Sequence, residues 1–170
     1  VEGAHRFLKR LWALGVRLSA RSDAAAGTAA DFADARREIH TALQKALFDY
    51  ERQQYNTVVS ACMSMVNVLN KLDDSAPAMA LLHEGVGIIL RLLSPIAPHI
   101  SHAMWQQLGY GEDIHQAGWP SVDESALVSD SIDYVVQVNG KMRGKIEVPA
   151  DADRQAVETT SRNNENVRRF

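Results

Sequence analysis

The sequence lacks several features that mark whole classes of protein. Its 170 residues include one cysteine, Cys62, which excludes an internal disulfide framework and any zinc site built from several cysteines. No run approaches the roughly 18 consecutive apolar residues of a membrane span, and no charged-then-apolar leader stands at the N-terminus. Basic residues are not in excess, with 18 Lys and Arg against 21 Asp and Glu. We therefore expect a soluble, cytoplasmic protein without a membrane partner, and no uniformly basic nucleic-acid binder.

Hydrophobic residues make up 46% of the chain, which is enough for a packed core. Up to about residue 108 they recur at helical spacing, so that each segment presents one apolar stripe. The first predicted helix begins at residue 1 and extends to Arg21, and the others are 31–51, 56–72, 78–93 and 98–108. Five amphipathic helices with short connections predict an α-helical bundle, and Asp31 is the predicted N-cap of the second helix.

The charge changes sharply after these helices. Residues 112–133 contain six acidic and no basic side chains, and Gly118 and Pro120 interrupt this region. We predict a helical domain at 1–120, an acidic linker at 121–131 and the start of a second domain at 132–170. The chain begins and stops without a closing motif, so we expect a piece of a longer protein.

Beyond the linker the apolar period changes from about 3.6 to 2, which predicts a β-hairpin at 132–148. A helix is predicted at about 153–168, with an interruption at Asn163-Asn164. A hairpin and one helix bury little surface, so this second part is a small, truncated α+β piece.

The hairpin turn contains Asn139-Gly140, and two registers were compared. A two-residue loop puts Val136 opposite Arg143 and mixes the apolar and polar faces. A three-residue loop from Val138 to Gly140 puts Val136 opposite Met142 and gives Gly140 the left-handed conformation that a G1 bulge requires. We predict the second register, which places the basic residues of the second strand on one solvent-facing side.

Two basic patches stand out against the nearly neutral total. The first helix carries Arg6, Lys9, Arg10, Arg17 and Arg21 on the side opposite its apolar stripe, without an acidic residue on that arc. The second hairpin strand carries Lys141, Arg143 and Lys145. Charged faces are often only solvated, but basic faces without i,i+4 partners favour contact with a polyanion. Phe48, on the polar side of the second helix, could stack on a partner or simply be an exposed aromatic.

No catalytic centre and no metal site are predicted. The segment Gly140–Lys145 has one residue too few between its glycines for a phosphate-binding P-loop, and it lies in a hairpin. His99 and His102 have no third ligand at a defined spacing, so we interpret His99 as a residue that caps or packs at a helix start. Cys62 lies on an apolar stripe, where a small core residue belongs.

Four stretches together resemble the bacterial leucyl-tRNA synthetase family. Glu2–Trp12 resembles the start of its anticodon-binding domain, and Tyr55-Asn56-Thr57, with Met63 and Asn67, resembles its FNT segment with Tyr in place of Phe. Leu93–His99, followed by Trp105, resembles the helix break shared by the leucine, isoleucine and valine enzymes. The most specific stretch is Val136–Ile146, which resembles the opening of the small C-terminal domain.

The resemblance implies a class Ia anticodon-binding-type helical bundle followed by the start of a domain that docks at the tRNA elbow. It implies a partner, leucine tRNA, and a parent enzyme that uses ATP and Mg in domains absent from this chain. The fragment itself would then need no cofactor, would be monomeric and would act together with the remaining domains of the parent. The residues expected to contact tRNA are Arg6, Arg10, Arg17, Arg21, Lys141, Arg143 and Lys145. The alternative is a structural or protein-interaction bundle without RNA affinity.

Overall fold

The computed structural model describes residues 2–20, 32–128, 131–138, 140–149, 152–164 and 166–168. The chain forms two compact units, Val1–Leu127 and Val128–Phe170. The first is helical, and the second contains a hairpin and a helix. The predicted mainly α fold class is therefore confirmed.

The first unit contains all five predicted helices. They are α1 (Glu2–Ser19), α2 (Ala33–Glu51), α3 (Tyr55–Leu69), α4 (Ala76–Leu93) and α5 (Pro98–Gln107). A 3-10 turn at Ile114–Gln116 and the short helix α6 (Glu124–Leu127) follow.

Local side-chain chemistry determines where several helices begin. Ser75 accepts a hydrogen bond from the backbone N–H of Ala78 at α4, and Pro98 occupies the first turn of α5. The predicted cap Asp31 lies outside the described residues.

Helix α4 is the centre of the bundle and packs against α1, α2, α3 and α5. Its predicted apolar stripe is buried, but Ile88 and Leu92 on other sides of the helix are also buried, with 3% and 0% exposure. A helix with so wide an apolar surface is stable only when several neighbours cover it. By length and composition α4 could cross a membrane, yet 67% of this helix is buried inside the bundle. We interpret it as a core helix.

The turn between α2 and α3 makes these two helices antiparallel neighbours. Gln53 has a φ of 57°, the left-handed conformation that commonly ends a helix. Its N–H donates to the carbonyl of Tyr50 and the N–H of Gln54 donates to the carbonyl of Asp49, both at 2.9 Å. These two bonds form a Schellman motif, which satisfies the last carbonyls of α2 and turns the chain directly into α3.

A cluster of charged side chains joins α2, α4 and the segment before α6. The Arg36 guanidinium binds Glu84 through Nη2 and Nε, with N–O distances of 2.8 and 2.9 Å, and its Nη2 also lies 2.7 Å from Oδ2 of Asp123. His40 Nε2 lies 3.0 Å from Oε1 of Glu84, and His40 Nδ1 accepts the backbone N–H of Asp123 at 3.1 Å. Because Nδ1 accepts, the proton of the neutral imidazole is on Nε2 and is donated to Glu84.

This cluster changes the interpretation of the predicted linker at 121–131. Asp123 is bound by α2 from two sides, and α6 packs against the same helix. The residues up to Leu127 therefore belong to the helical unit. The acidic side chains of this region suggested a solvated linker. One of them, Asp123, is instead the carboxylate that binds Arg36.

The pKa values in the cluster follow from its contacts. Burial alone would raise the pKa of Glu84, but hydrogen bonds from His40 and Arg36 outweigh it and bring the pKa from 4.5 to about 2. The pKa of Asp123 is lowered by hydrogen bonds from Ser125 and then from Arg36. The carboxylates in turn raise the pKa of Arg36, mainly through its hydrogen bond to Glu84.

In the second unit, β1 (Ser131–Val138) and β2 (Lys141–Pro149) form the predicted antiparallel hairpin. The predicted register is wrong. Val138 pairs with Lys141, so the loop has two residues, and Val136 lies opposite Gly144 instead of Met142. The additional residue is Arg143, which forms a bulge within β2. The two-residue loop is the one that the sequence pattern disfavours because it mixes the faces, and the bulge at Arg143 restores the alternation that this short loop disrupts.

Helix α7 (Arg154–Asn163) follows the hairpin and packs against β2. Its start matches the prediction, since the Asp153 side chain accepts the N–H of Ala156 at 2.7 Å. It ends well before residue 168 because Asn164 has an extended backbone, with a ψ of 126°. The Asn164 side chain donates to the carbonyl of Lys145 at 3.2 Å and lies over Gly144, where a Cβ would be 3.0 Å from its Oδ1.

Replacing Glu84 by Gln is expected to lower the free energy of unfolding at neutral pH by about 2 kcal/mol, because charge-assisted bonds from Arg36 and His40 are lost. Since the folded-state pKa of Glu84 is depressed, its stabilisation is complete above pH 4.5 and disappears as the pH falls towards 2. Urea unfolding curves of wild type and variant should therefore converge over this pH range. The exposed Glu51→Gln is the control and should change stability by less than about 0.5 kcal/mol. A pH-independent difference for the Glu84 variant would contradict the assignment.

The buried thiol of Cys62 gives a second test of the core. Burial raises its pKa from 9.0 to about 12, and the side chain has no exposure. Because the thiolate is the reactive species, a thiol reagent at mildly alkaline pH should label native Cys62 about 1,000-fold more slowly than the urea-unfolded chain. Equal labelling rates would show that α3 does not bury this side chain.

Candidate nucleic-acid interface

The first helix presents the basic face that the sequence predicts. Its apolar stripe points into the bundle, where Phe7, Leu11, Leu14 and Leu18 are all buried. Arg6, Lys9 and Arg10 are exposed on the outer side. Ala4, which the periodicity placed on the apolar stripe, is exposed as well. Arg21 lies outside the described residues.

Arg17 differs from the other arginines of α1 because the connection between α3 and α4 engages its guanidinium. Its Nε donates to Oδ1 of Asp74 at 2.7 Å, and its Nη2 donates to the carbonyl of Leu72 at 2.8 Å and to that of Asp73. The side chain is 26% exposed. Arg17 therefore ties α1 to a loop that is distant in sequence, which no helical periodicity could have shown.

Arg10 connects α1 to α3 through a side-chain hydrogen bond. Its Nη2 donates to Oδ1 of Asn67 at 2.8 Å. Asn67 in turn lines an open cleft of about 500 Å³ between the outer faces of α2 and α3. The other residues that line this cleft are Arg37, Glu38, Thr41, Ala42, Lys45, Ser64, Val68 and Lys71. Sequence reasoning did not identify Lys45 and Lys71, because single lysines on two separate helices form no pattern along the chain.

The three basic residues of the hairpin are not on one face. Side chains of opposed residues share a face of the ladder. Lys145 pairs with Val135 and Lys141 pairs with Val138, three residues further along β1. An odd separation places Lys141 and Lys145 on opposite faces. Arg143, between them, is the bulged residue and is half-buried.

Two other predicted features have a structural explanation. Phe48 is exposed, as expected from its position on α2, and the Arg52 guanidinium lies 4.6 Å from its ring centroid in a cation–π contact. Cys62 is buried in the core, as predicted. Neither residue contributes to a reactive site.

The histidines of α5 lie beside a third one that sequence spacing did not predict. His99, His102 and His115 line an open cleft of about 390 Å³, and the rings of His102 and His115 stack at 6.3 Å. His102 Nδ1 is 3.8 Å from Oδ1 of Asp113. The predicted capping role of His99 is wrong, because it is exposed and α5 has no side-chain cap. In the part of the chain that the structure describes, no three His, Cys, Asp or Glu residues are placed to hold a metal ion.

Comparison with known proteins agrees with this helical architecture. A family model described as the anticodon-binding domain of tRNA ligase matches residues 33–159. The chain is 52% identical to the leucine--tRNA ligase of Cupriavidus metallidurans, a match that covers 100% of this chain and 20% of the relative. It is 47% identical to the enzyme of Coxiella burnetii, over 99% of this chain and 22% of the relative. The chain thus spans about a fifth of the length of these relatives.

A solved structure shares the fold. The crystal structure of the ternary complex of Agrobacterium radiobacter K84 agnB2 LeuRS-tRNA-LeuAMS matches with a TM-score of 0.77 and 26% identity, over 98% of this chain and 22% of that one. The family match, the relatives and this structure point to the same group of proteins. The chain therefore belongs to the family of anticodon-binding domains of tRNA ligases, and its similarity to leucine--tRNA ligases extends over its whole length.

Proposed function

We propose that this chain is the tRNA-binding part of a leucine–tRNA ligase and positions leucine tRNA for aminoacylation. The observation that supports this most directly is its similarity, over the whole chain, to leucine--tRNA ligases. A related LeuRS was crystallised together with tRNA, and that structure matches 98% of this chain. The proposed contacts are electrostatic, because arginines and lysines that meet phosphates set position and affinity without reading bases.

The first proposed contact surface is the outer face of α1. Arg6 and Arg10 are exposed there together with Lys9. Arg21 belongs to the same helical face in the sequence and stays part of the proposal. We assign Arg17 a different role, because its donors hold Asp74 and two carbonyls of the α3–α4 connection. It positions the loop next to the contact surface and does not itself bind RNA.

The second proposed surface is on the hairpin. Lys145 lies on the face opposite α7, together with Val135, which is 50% exposed. Lys141 lies on the α7 side, and Arg143 is at the bulge between them. A single RNA surface touches only one face of a two-stranded sheet, so Lys145 is the main contact, with smaller contributions from Arg143 and Lys141.

ATP and Mg are proposed to act in domains outside this chain. The described residues provide no cluster of metal-binding side chains. The segment from Gly140 to Lys145 forms a turn and part of β2, whereas a phosphate-binding loop needs a strand-to-helix connection. These residues do not fit a nucleotide site. We further propose that the chain is cytoplasmic and monomeric, has no membrane partner and acts beside the other domains of its parent enzyme.

The α1 surface can be tested by measuring tRNA affinity at several salt concentrations. The double variant Arg6→Ala/Arg10→Ala is expected to lower the slope of log affinity against log salt by about 1.5, because each lost phosphate contact removes 0.7 to 0.9. Arg17→Ala is expected to leave this slope unchanged and to lower the free energy of unfolding by about 2 kcal/mol. Filter binding to a leucine tRNA transcript and urea unfolding give the two readouts.

The result for the wild-type chain decides between the proposed function and its alternative. Binding that is insensitive to salt, or no binding at all, would indicate a structural or protein-interaction bundle. A slope that falls for Arg17→Ala but not for the double variant would overturn the division of roles on α1.

The hairpin surface gives an independent prediction. Reversing Lys141, Arg143 and Lys145 together to Glu is expected to weaken tRNA binding, with Lys145→Glu alone causing about a tenfold loss. Lys141→Glu is the matched control, because it makes the same charge change on the opposite face, and it should cost less than about twofold. Equal losses for the two single variants would contradict the assignment of the RNA to one face.

A further inference from the structure

We propose that the cleft between α2 and α3 binds a stretch of the tRNA sugar-phosphate backbone, with Lys45 and Lys71 as its phosphate contacts. This inference rests on the proposed function and adds a third contact surface to it. The site lies in the helical unit and contains none of the basic residues that the sequence pattern had pointed to. Its ligand is defined by chemistry as a chain of phosphodiesters.

The cleft is formed by matching stripes on two antiparallel helices. On α2, Arg37, Thr41 and Lys45 follow one another at intervals of four residues and therefore lie on one side of the helix. On the other wall, Ser64 lies on α3 and Lys71 follows its end. With a rise of 1.5 Å per residue, the α2 stripe is about 12 Å long. An open cleft with a volume of about 500 Å³ and a length of about 12 Å can hold an extended stretch of nucleic-acid backbone.

The charges in the cleft favour an anion. Glu38 is the one carboxylate among the residues that line it. Arg37 is already paired with Asp34, whereas no carboxylate of the described residues lies within 4 Å of the ammonium of Lys45 or Lys71. Both lysines are exposed. Two ammonium groups without acidic partners among the described residues, one on α2 and one just after α3, attract phosphates along the cleft.

Asn67 connects this cleft to the basic face of α1. Its Oδ1 accepts the 2.8 Å hydrogen bond from Arg10, which orients the amide group. While Oδ1 binds Arg10, the Nδ2 group of Asn67, its donor, can bind a phosphate oxygen. Arg10, Asn67 and Lys71 thus continue the α1 surface into the cleft, so that one RNA strand can follow both.

The residues that line the cleft also indicate which part of a nucleic acid it binds. Apart from Glu38, its polar members are lysine, arginine, serine, threonine and asparagine donors, and none of the lining residues is aromatic. Recognition of unpaired bases commonly uses aromatic platforms on which the bases stack. A cleft with donors and without such a platform matches contacts to the backbone, which are independent of sequence.

The test measures binding of the chain to a leucine tRNA transcript over a range of salt concentrations. Lys45→Ala/Lys71→Ala is expected to lower the salt slope by about 1.5 and the affinity at low salt at least tenfold. Asn67→Asp keeps the acceptor for Arg10 but places a carboxylate in the cleft, and should also weaken binding. Glu38→Gln removes the acidic residue and should strengthen it. The control Arg52→Ala removes an exposed cation at the end of α2, outside the cleft, and should leave the slope unchanged.

The outcomes separate this inference from the proposed function. If the wild-type chain binds tRNA in a salt-dependent way but the lysine variant keeps the wild-type slope, the cleft assignment fails and the function stands. If the wild-type chain does not bind, both fail. An equal loss for Arg52→Ala would reveal a general effect of charge and would also overturn the assignment. Thermal melting of each variant checks that it is folded.

One further arm distinguishes RNA backbone from free phosphate. Replacing chloride by inorganic phosphate at constant ionic strength should preserve the difference in tRNA affinity between wild type and Lys45→Ala/Lys71→Ala. If inorganic phosphate abolished this difference, the cleft would be a site for the free anion, and the assignment to RNA would be overturned.

Discussion

The burial of the apolar residues of α4 is the constraint on which the helical unit depends. A helix whose apolar surface is wider than one stripe needs several neighbours, and α1, α2, α3 and α5 pack against it. The apolar stripes of these helices pack against α4 and against one another. Their polar sides consequently face outward, and the basic face of α1 and the stripes that form the α2–α3 cleft are direct results of this arrangement. The core thereby determines where charged residues are available to a partner, although it contains none of them itself.

Basic residues occur in two different environments in this bundle: some are bound to other segments, and others are exposed on outer faces. Arg17 and Arg36 hold together segments that are far apart in sequence, through carboxylates and carbonyls that satisfy their donors. Arg6, Lys45 and Lys71 are exposed on outer faces. The difference lies in the partner that the fold brings to each side chain. A count of basic residues on a helical face cannot separate these environments, because the partners of Arg17 come from a loop more than 50 residues away.

The small second unit shows a similar limit at the level of backbone pairing. The alternation of apolar residues and the turn at Asn139-Gly140 correctly predict a hairpin, and Gly140 has the expected left-handed conformation, with a φ of 74°. The register is not predictable from the alternation alone. Arg143 enters the strand as an additional residue, and Gly144 beside it accommodates the side chain of Asn164. The bulge at Arg143 thus shifts the pairing away from the predicted register, although the loop has the two residues of the other alternative.

The sequence by itself determined the five helices, the hairpin, the buried position of Cys62 and the family resemblance. These features depend on periodicity, turn chemistry and motifs, which are local properties of a chain. The tertiary structure decided which arginines are available, that Asp123 belongs to the bundle, and that Lys45 and Lys71 line the same cleft. Such features depend on distances between side chains from different elements. Those distances exist only after the helices have packed, because the burial of apolar stripes sets them.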